Sequence, residues 1–314
     1  MEPTDTENMT MVTEFIILGL SDNPKLQVPL FLVFLLNYLI TLLGNLVIIT
    51  LICADPRLHT PMYFFLSNLS VTDICYTSVI IPKLLGIFLL GFNTISYAGC
   101  LAQLYFFMGF ASLEIFLLTV MAYDRYVAIC HPLRYSLIMN WRVCILMVVT
   151  SWIIAFLNSS PTTAFVSLLS FCGSNKIDHF FCDLTPLLKL SSTDTASTQV
   201  VILIETTLVS LIPFLLTIIS YIYIISAILR IRSKEGRYKA FSTCSSHLTV
   251  VSVFYVSVFS VYLTPASVSS LGLGKILSVL YTTVTPMLNP IIYSLRNQEV
   301  KNALKKLLEK LLAQ

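Results

Sequence analysis

The chain has 314 residues, of which 56% are hydrophobic and only 11% charged, with a formal net charge of +3 and a mean hydropathy of +0.85. A soluble chain carries about 25% charged residues, so this one cannot cover its surface with polar groups, and the lipid bilayer is its natural solvent. Nothing in the small net charge suggests a nucleic-acid binder.

In chain order, residues 1–25 form a polar, acidic tail without the basic and short apolar regions of a removable signal peptide. The first membrane helix is therefore expected to direct insertion. Asn8-Met9-Thr10 is a glycosylation sequon on this tail; those at Asn68 and Asn158 fall inside apolar spans. A membrane helix needs about 20 apolar residues. Seven stretches qualify, from Leu26 to Cys53, Pro61 to Ile87, Tyr97 to Tyr126, Val143 to Phe165, Thr198 to Leu229, Ala240 to Leu263 and Ile276 to Leu295. An all-α bundle of seven transmembrane helices is predicted over 26–296. Pro213 and Pro290 fall inside the fifth and seventh helices, where each removes a backbone hydrogen bond and kinks the helix. Over 297–314, Val300, Leu304, Leu307, Leu308 and Leu311 recur at helical spacing with lysines between them. That pattern predicts an amphipathic helix lying on the membrane surface.

Lysine and arginine set the orientation. With the N-terminus outside, only Lys25, Lys83, Lys176, Lys189 and Lys275 of the 19 basic residues face outward, and all others face the cytoplasm. Three cysteines, Cys100, Cys172 and Cys182, then lie on the outer side, where disulfides persist. A Cys100–Cys182 bridge would pin the long loop between helices 4 and 5 over the mouth of the bundle and leave Cys172 spare. Alternatively Cys172, His179 and Cys182 could hold a soft metal ion; the bridge with a spare thiol is the simpler reading.

Two carboxylates, Asp73 and Glu114, fall in mid-membrane, where an ionisable residue is costly and functional by default. At comparable depth they would repel unless they share a proton or a cation. A sodium or proton site is expected there, with Asn45 and Asn289 as neutral neighbours. Asp124 and Arg125 lie at the inner boundary, because Arg125 follows Cys100 by a helical rise of about 37 Å.

The stretch MAYDRYVAIC at 121–130 resembles the end of the third helix in odorant receptors, within the rhodopsin-like G-protein-coupled receptors. Gly44-Asn45, LHTPMYFFLSNLSVTD at 58–73, Ser220-Tyr221, KAFSTCSSH at 239–247 and PMLNPIIYSLRN at 286–297 agree with it in order. The resemblance spans nearly the whole chain. It implies a receptor for a small volatile odorant, coupled to a stimulatory heterotrimeric G protein that raises cyclic AMP. It implies a switch at the inner ends of the helices, formed by Asp124, Arg125, Tyr126, Tyr221, Lys239, His247, Asn289, Pro290 and Tyr293. Helical spacing puts Phe107, Met108, Ala111, Ser112 and Ile115 on one face of helix 3, and the family places its ligand there. By position the resemblance adds Glu205, Thr206 and Val209 on helix 5, Tyr255, Val258, Phe259 and Tyr262 on helix 6, and Val279, Thr282 and Thr283 on helix 7.

Three positions depart from the family pattern. Glu205 stands where apolar or small residues are usual, and suggests a ligand with a hydroxyl, carbonyl or amine. Ser192 replaces a further loop cysteine, and Val256 replaces a glycine in helix 6. No paired repeats or broken polar helices suggest a transporter, and no nucleophile arrangement or phosphate loop suggests an enzyme. A receptor of the same family for an endogenous metabolite remains the nearest alternative.

Overall fold

The computed structural model describes residues 12–21, 23–171, 174–193, 195–262, 271–296 and 298–312. Asn8 and Cys172 lie outside the described residues, as do the side chains of Lys239 and Tyr262. The fold is a bundle of long helices. They are α1 (Pro24–Ala54), α2 (Pro61–Leu90), α3 (Tyr97–Cys130) and α4 (Trp141–Ser167). Next, α5 joins Ala196–Thr206, a π-helical turn Thr207–Leu211, and Ile212–Arg230. Then come α6 (Lys234–Tyr262) and α7, which joins Leu271–Val279, a π-helical turn Leu280–Val284, and Thr285–Arg296. The last helix, α8 (Gln298–Leu312), packs Val300, Leu304 and Leu307 against the bundle and leaves Lys301, Lys305 and Lys306 exposed.

Six of these helices are long and apolar enough to cross a membrane. The apolar part of α6, His247–Ser260, is shorter. Its first turns, from Lys234, are polar and basic and extend the helix beyond the apolar layer. The expected start at Ala240 moves to Lys234 for that reason: a membrane helix need not end where its apolar stretch does.

Sequence features explain how the helices start and meet. Asn23, Ser96 and Asn140 cap α1, α3 and α4 by accepting from backbone N–H groups. Pro61 opens α2, where the missing N–H costs nothing. Gly44 lets α1 approach the ring of Pro290; a Cβ there would fall 2.9 Å from it. Pro290 has no N–H to give to the carbonyl of Pro286, one turn back. Asn45 of α1 supplies the donor, from Nδ2 to Pro286 O at 3.3 Å. The Gly44-Asn45 pair thus both permits the α1–α7 approach and repairs the proline break.

One element has no counterpart in the sequence reading. Part of the expected tail forms a strand, β1 (Glu14–Ile17), between β2 (Thr94–Ser96) and β3 (Lys176–Ile177). It runs antiparallel to β2 and parallel to β3. Phe15 and Ile17 point inward and are fully buried, Phe15 edge-on to Phe171 at 5.1 Å. Gly19 turns the chain at φ +81°, a conformation that glycine adopts freely. Its carbonyl accepts from Lys275 Nζ at 3.1 Å, and Lys275 also pairs with Asp178 at 2.7 Å. The three short strands and the α4–α5 loop make a lid over one end of the bundle. Cys100 and Cys182 are joined by a disulfide that anchors this lid to the start of α3. With its sulfur committed, Cys182 is no ligand for a soft metal ion.

Candidate ligand cavity and switch

Beneath the lid lies a mostly apolar cavity of about 90 Å³ between α3, α4, α5, α6 and α7. Of the residues placed in its wall from the sequence, Phe107, Met108, Ala111, Ser112, Ile115, Glu205, Thr206, Val209 and Val258 line it. Asn158, Leu184, Ile202, Ser210, Phe254 and Tyr281 line it as well. Tyr255 and Phe259 instead close an aromatic cluster with Phe214, at 4.9 and 5.0 Å, between α5 and α6. Val279, Thr282 and Thr283, expected in the wall, are not among the lining residues, where α7 contributes Tyr281. The Thr282 and Thr283 hydroxyls donate to the carbonyls of Ser278 and Val279 at 2.7 Å.

The roof is aromatic. Phe181 of the lid packs on Phe107 at 4.7 Å, and Phe107 stacks on Tyr76 at 5.5 Å. Gln103 ties lid to bundle: its Oε1 accepts from Cys182 N, and its Nε2 donates to Val79 O, each at 2.9 Å. Burial, reinforced by Lys275, lowers the His179 imidazole in this lid to about 3, so it stays neutral at physiological pH. Burial raises Asp183, which caps the short helix Leu184–Leu190, to about 6.

Glu205 is the only acid among the residues lining the cavity. It accepts from Thr162 N at 3.2 Å and from the Thr162 hydroxyl. Thr162 follows Pro161, the proline inside α4. The carboxylate therefore joins α4 to α5 and satisfies backbone beside the proline break.

Lower in the bundle, four buried polar side chains gather between α1, α2, α3 and α7. Asn289 Nδ2 donates to both carboxylate oxygens of Asp73, at 3.2 and 3.0 Å. Glu114 lies close enough to act electrostatically on Asp73. Asn289 also faces Glu114, and the Oδ1 atoms of Asn45 and Asn289 are buried without a hydrogen-bond partner. Oxygen donors of this kind fit a hard cation or a shared proton.

At the opposite end from the lid, Asp124 is buried and Arg125 Nη2 lies 3.5 Å from it. Tyr135 donates to Asp124 at 2.7 Å. Burial and the Asp124 carboxylate push the Tyr135 phenol up, which keeps it a proton donor. Tyr126 shares a hydrogen bond with His131 Nε2 at 3.1 Å. Tyr221 of α5 shares one with His247 Nδ1 of α6, both buried. Tyr293 and Pro290 are buried on α7.

This arrangement of helices, disulfide and buried polar groups is that of a rhodopsin-like G-protein-coupled receptor. The crystal structure of squid rhodopsin superposes with a TM-score of 0.71 over 92% of this chain and 87% of that one, at 19% identity. The family model described as olfactory receptor matches residues 34–310. Olfactory receptor 1L4 of Homo sapiens is 56% identical over 304 residues, covering 96% of this chain and 98% of that protein. Olfactory receptor 1f45 of Rattus norvegicus is 52% identical, covering 96% of each. The chain belongs to the olfactory receptor family: it is a multi-pass odorant receptor that binds a ligand and couples to a G protein, and not an enzyme.

Proposed function

We propose that the cavity beneath the lid is the odorant site, and that the receptor signals through a G protein of the stimulatory, olfactory type to raise cyclic AMP. The carrying observation is the cavity itself, apolar except for Glu205, Ser112, Ser210, Asn158, Thr206 and the Tyr281 phenol. Ligand sites have this composition, a greasy wall with a few polar groups that fix orientation. A volume of about 90 Å³ selects a small molecule, with one hydroxyl, carbonyl or amine directed at Glu205. The lid faces outward and α8 faces the cytoplasm, in agreement with the excess of basic residues on the α8 side.

In this reading the Asp124–Arg125 pair and the Tyr221–His247 bond hold the resting state. Ligand binding at α3, α5 and α6 releases both, and Arg125 turns to the G protein and to Tyr221. Lys239 on α6 adds positive charge at the docking end. Asp73, Glu114, Asn45 and Asn289 form the sodium or shared-proton site that links the two halves.

The test is cyclic AMP in cells expressing the chain, against a panel of small volatiles, with Arg125→Ala at equal surface expression. A ligand-dependent rise that the variant loses supports the reading. A rise that persists in Arg125→Ala would refute the switch. A ligand that triggers calcium release without cyclic AMP would refute the G-protein type.

A further inference from the structure

A second and larger cavity, about 430 Å³, opens between α3, α4 and α5 on the side of the bundle that faces lipid. It shares no lining residue with the odorant cavity. Its deep end is Val120, Met147, Leu216 and Ile219, with Leu216 and Ile219 about half exposed. Tyr126 lies one α3 turn and more beyond Val120, and Tyr223 a similar distance beyond Ile219. Both helices run the same way, so the polar groups gather at the switch end. There Tyr123, Tyr126 and Tyr223 form a ladder of rings, 6.1 and 5.9 Å apart. Thr119 and Ser220 also line the wall, but their hydroxyls donate within their own helices, to Ile115 O at 2.9 Å and Leu216 O at 2.8 Å. The phenols therefore lie at headgroup depth and the rest of the wall is mainly apolar, as in a bilayer leaflet.

We propose that this cavity binds a membrane sterol, with its hydroxyl at the tyrosine ladder and its ring system along Leu216 and Ile219. No lysine or arginine lines the cavity, so the carboxylate of a fatty acid or the phosphate of a phospholipid would be buried there without a counter-charge. A small odorant would leave most of the volume unfilled, whereas a flat, rigid body with a single hydroxyl matches the volume, the ring faces and the gradient. The site has a route to the switch. Leu216, Ile219 and Tyr223 are on the face of α5 away from Tyr221, which bonds His247. In the cavity wall, Thr119 of α3 meets Thr217 of α5 at 3.3 Å. A sterol that fits this α3–α5 spacing favours the conformation seen here, because a ligand stabilises the state it binds better. Its sign is inhibitory, on the reading that this conformation is the resting one.

The experiment uses the full chain in phosphatidylcholine nanodiscs with a photoreactive cholesterol probe. Adducts are expected on α3, α4 and α5 peptides of this wall, competed by unlabelled cholesterol but not by oleic acid. Filling the cavity with Ile219→Trp, or with Leu216→Phe as a milder second variant, cuts labelling about fivefold or more, the loss of about 1 kcal/mol of contact. Leu43→Trp, on the lipid face of α1, leaves it unchanged. Adducts spread evenly over lipid-facing helices, undiminished labelling in both filled variants, or better competition by oleic acid would each overturn the proposal. Thermal unfolding confirms that the variants are folded. Labelling needs no G protein, so it decides the site independently of the coupling proposed above. In nucleotide exchange on purified G protein, cholesterol lowers the basal rate of the wild type and not of Ile219→Trp. A basal rate that rises with cholesterol would overturn the inhibitory sign.

Discussion

Glu205 combines two tasks that a leucine could not share. It satisfies Thr162 beside Pro161, and it is the one carboxylate among the described residues lining the cavity beneath the lid. Glu205→Leu removes the acceptor from a buried N–H and hydroxyl and is expected to cost about 1–3 kcal/mol, read as a lower melting temperature. Glu205→Gln, which keeps an acceptor oxygen, loses less. Across a panel that mixes alcohols, amines and hydrocarbons, the leucine variant reorders all three classes and the glutamine variant lowers the amines alone; an unchanged order in the leucine variant would remove Glu205 from ligand recognition. The residues of the proposed switch separate similarly. His247→Phe deletes the α5–α6 bond and leaves Tyr221 free for Arg125, so basal cyclic AMP rises about fivefold, from about 1 kcal/mol of lost resting-state stability. Basal signalling at the wild-type level would show that the bond does not hold the resting state. Glu205 stood out in the sequence because a charge inside an apolar run has few innocent explanations. Its bond to Thr162 did not, since it joins residues 43 apart through a packing that no periodicity reveals.

At the scale of elements, regular helices were legible and irregular ones were not. The α3 face from Phe107 to Ile115 follows plain helical spacing, and all five residues named from it reach the cavity. Ser210 and Tyr281 sit inside the π-helical turns of α5 and α7, where side chains leave the 3.6-residue phase, and spacing alone did not find them. The lid was equally hidden, because β1 and β3 are only four and two residues long and carry no hydrophobic alternation to read. Its buried titratable groups give it a testable pH behaviour. The depressed His179 contributes stability that is present above its unfolded value of about 6.5 and is lost as pH falls toward about 3. Asp183, raised to about 6, contributes in the opposite sense: it penalises the fold above that value, and the penalty is relieved as pH falls toward its ordinary range. Between about pH 6 and pH 4 the two slopes oppose each other, so the wild-type melting temperature is expected to be nearly flat there. Asp183→Asn tilts it downward on acidification and His179→Gln tilts it upward, each by up to about 1.4 kcal/mol per pH unit. Parallel curves for both variants would show that neither group titrates in the lid.

For the whole molecule, the bilayer made the architecture readable, because it fixes the length and composition of each crossing helix. The orientation rests on the placement of basic residues and predicts that Asn8 is glycosylated. Asn8→Gln, or treatment with a glycosidase, should increase gel mobility by one glycan; unchanged mobility would remove this support for an outward N-terminus. The proposed cation site at Asp73 and Glu114 predicts a sodium effect on signalling. Replacing sodium with choline in the medium should shift basal activity in the wild type, and Glu114→Gln should abolish that shift. A shift that persists in the variant would rule out a cation at this cluster. The two π-helical turns have a consequence for how the length of the chain can vary. Each holds one residue more than an α-turn needs, so losing that residue would restore regular helix with the faces above and below still aligned. A deletion elsewhere in α5 or α7 would rotate everything beyond it by about 100° and carry lipid-facing side chains into the core. The molecule thus has two points, both in the wall of the cavity beneath the lid, at which a membrane helix can shorten by one residue without turning inside out.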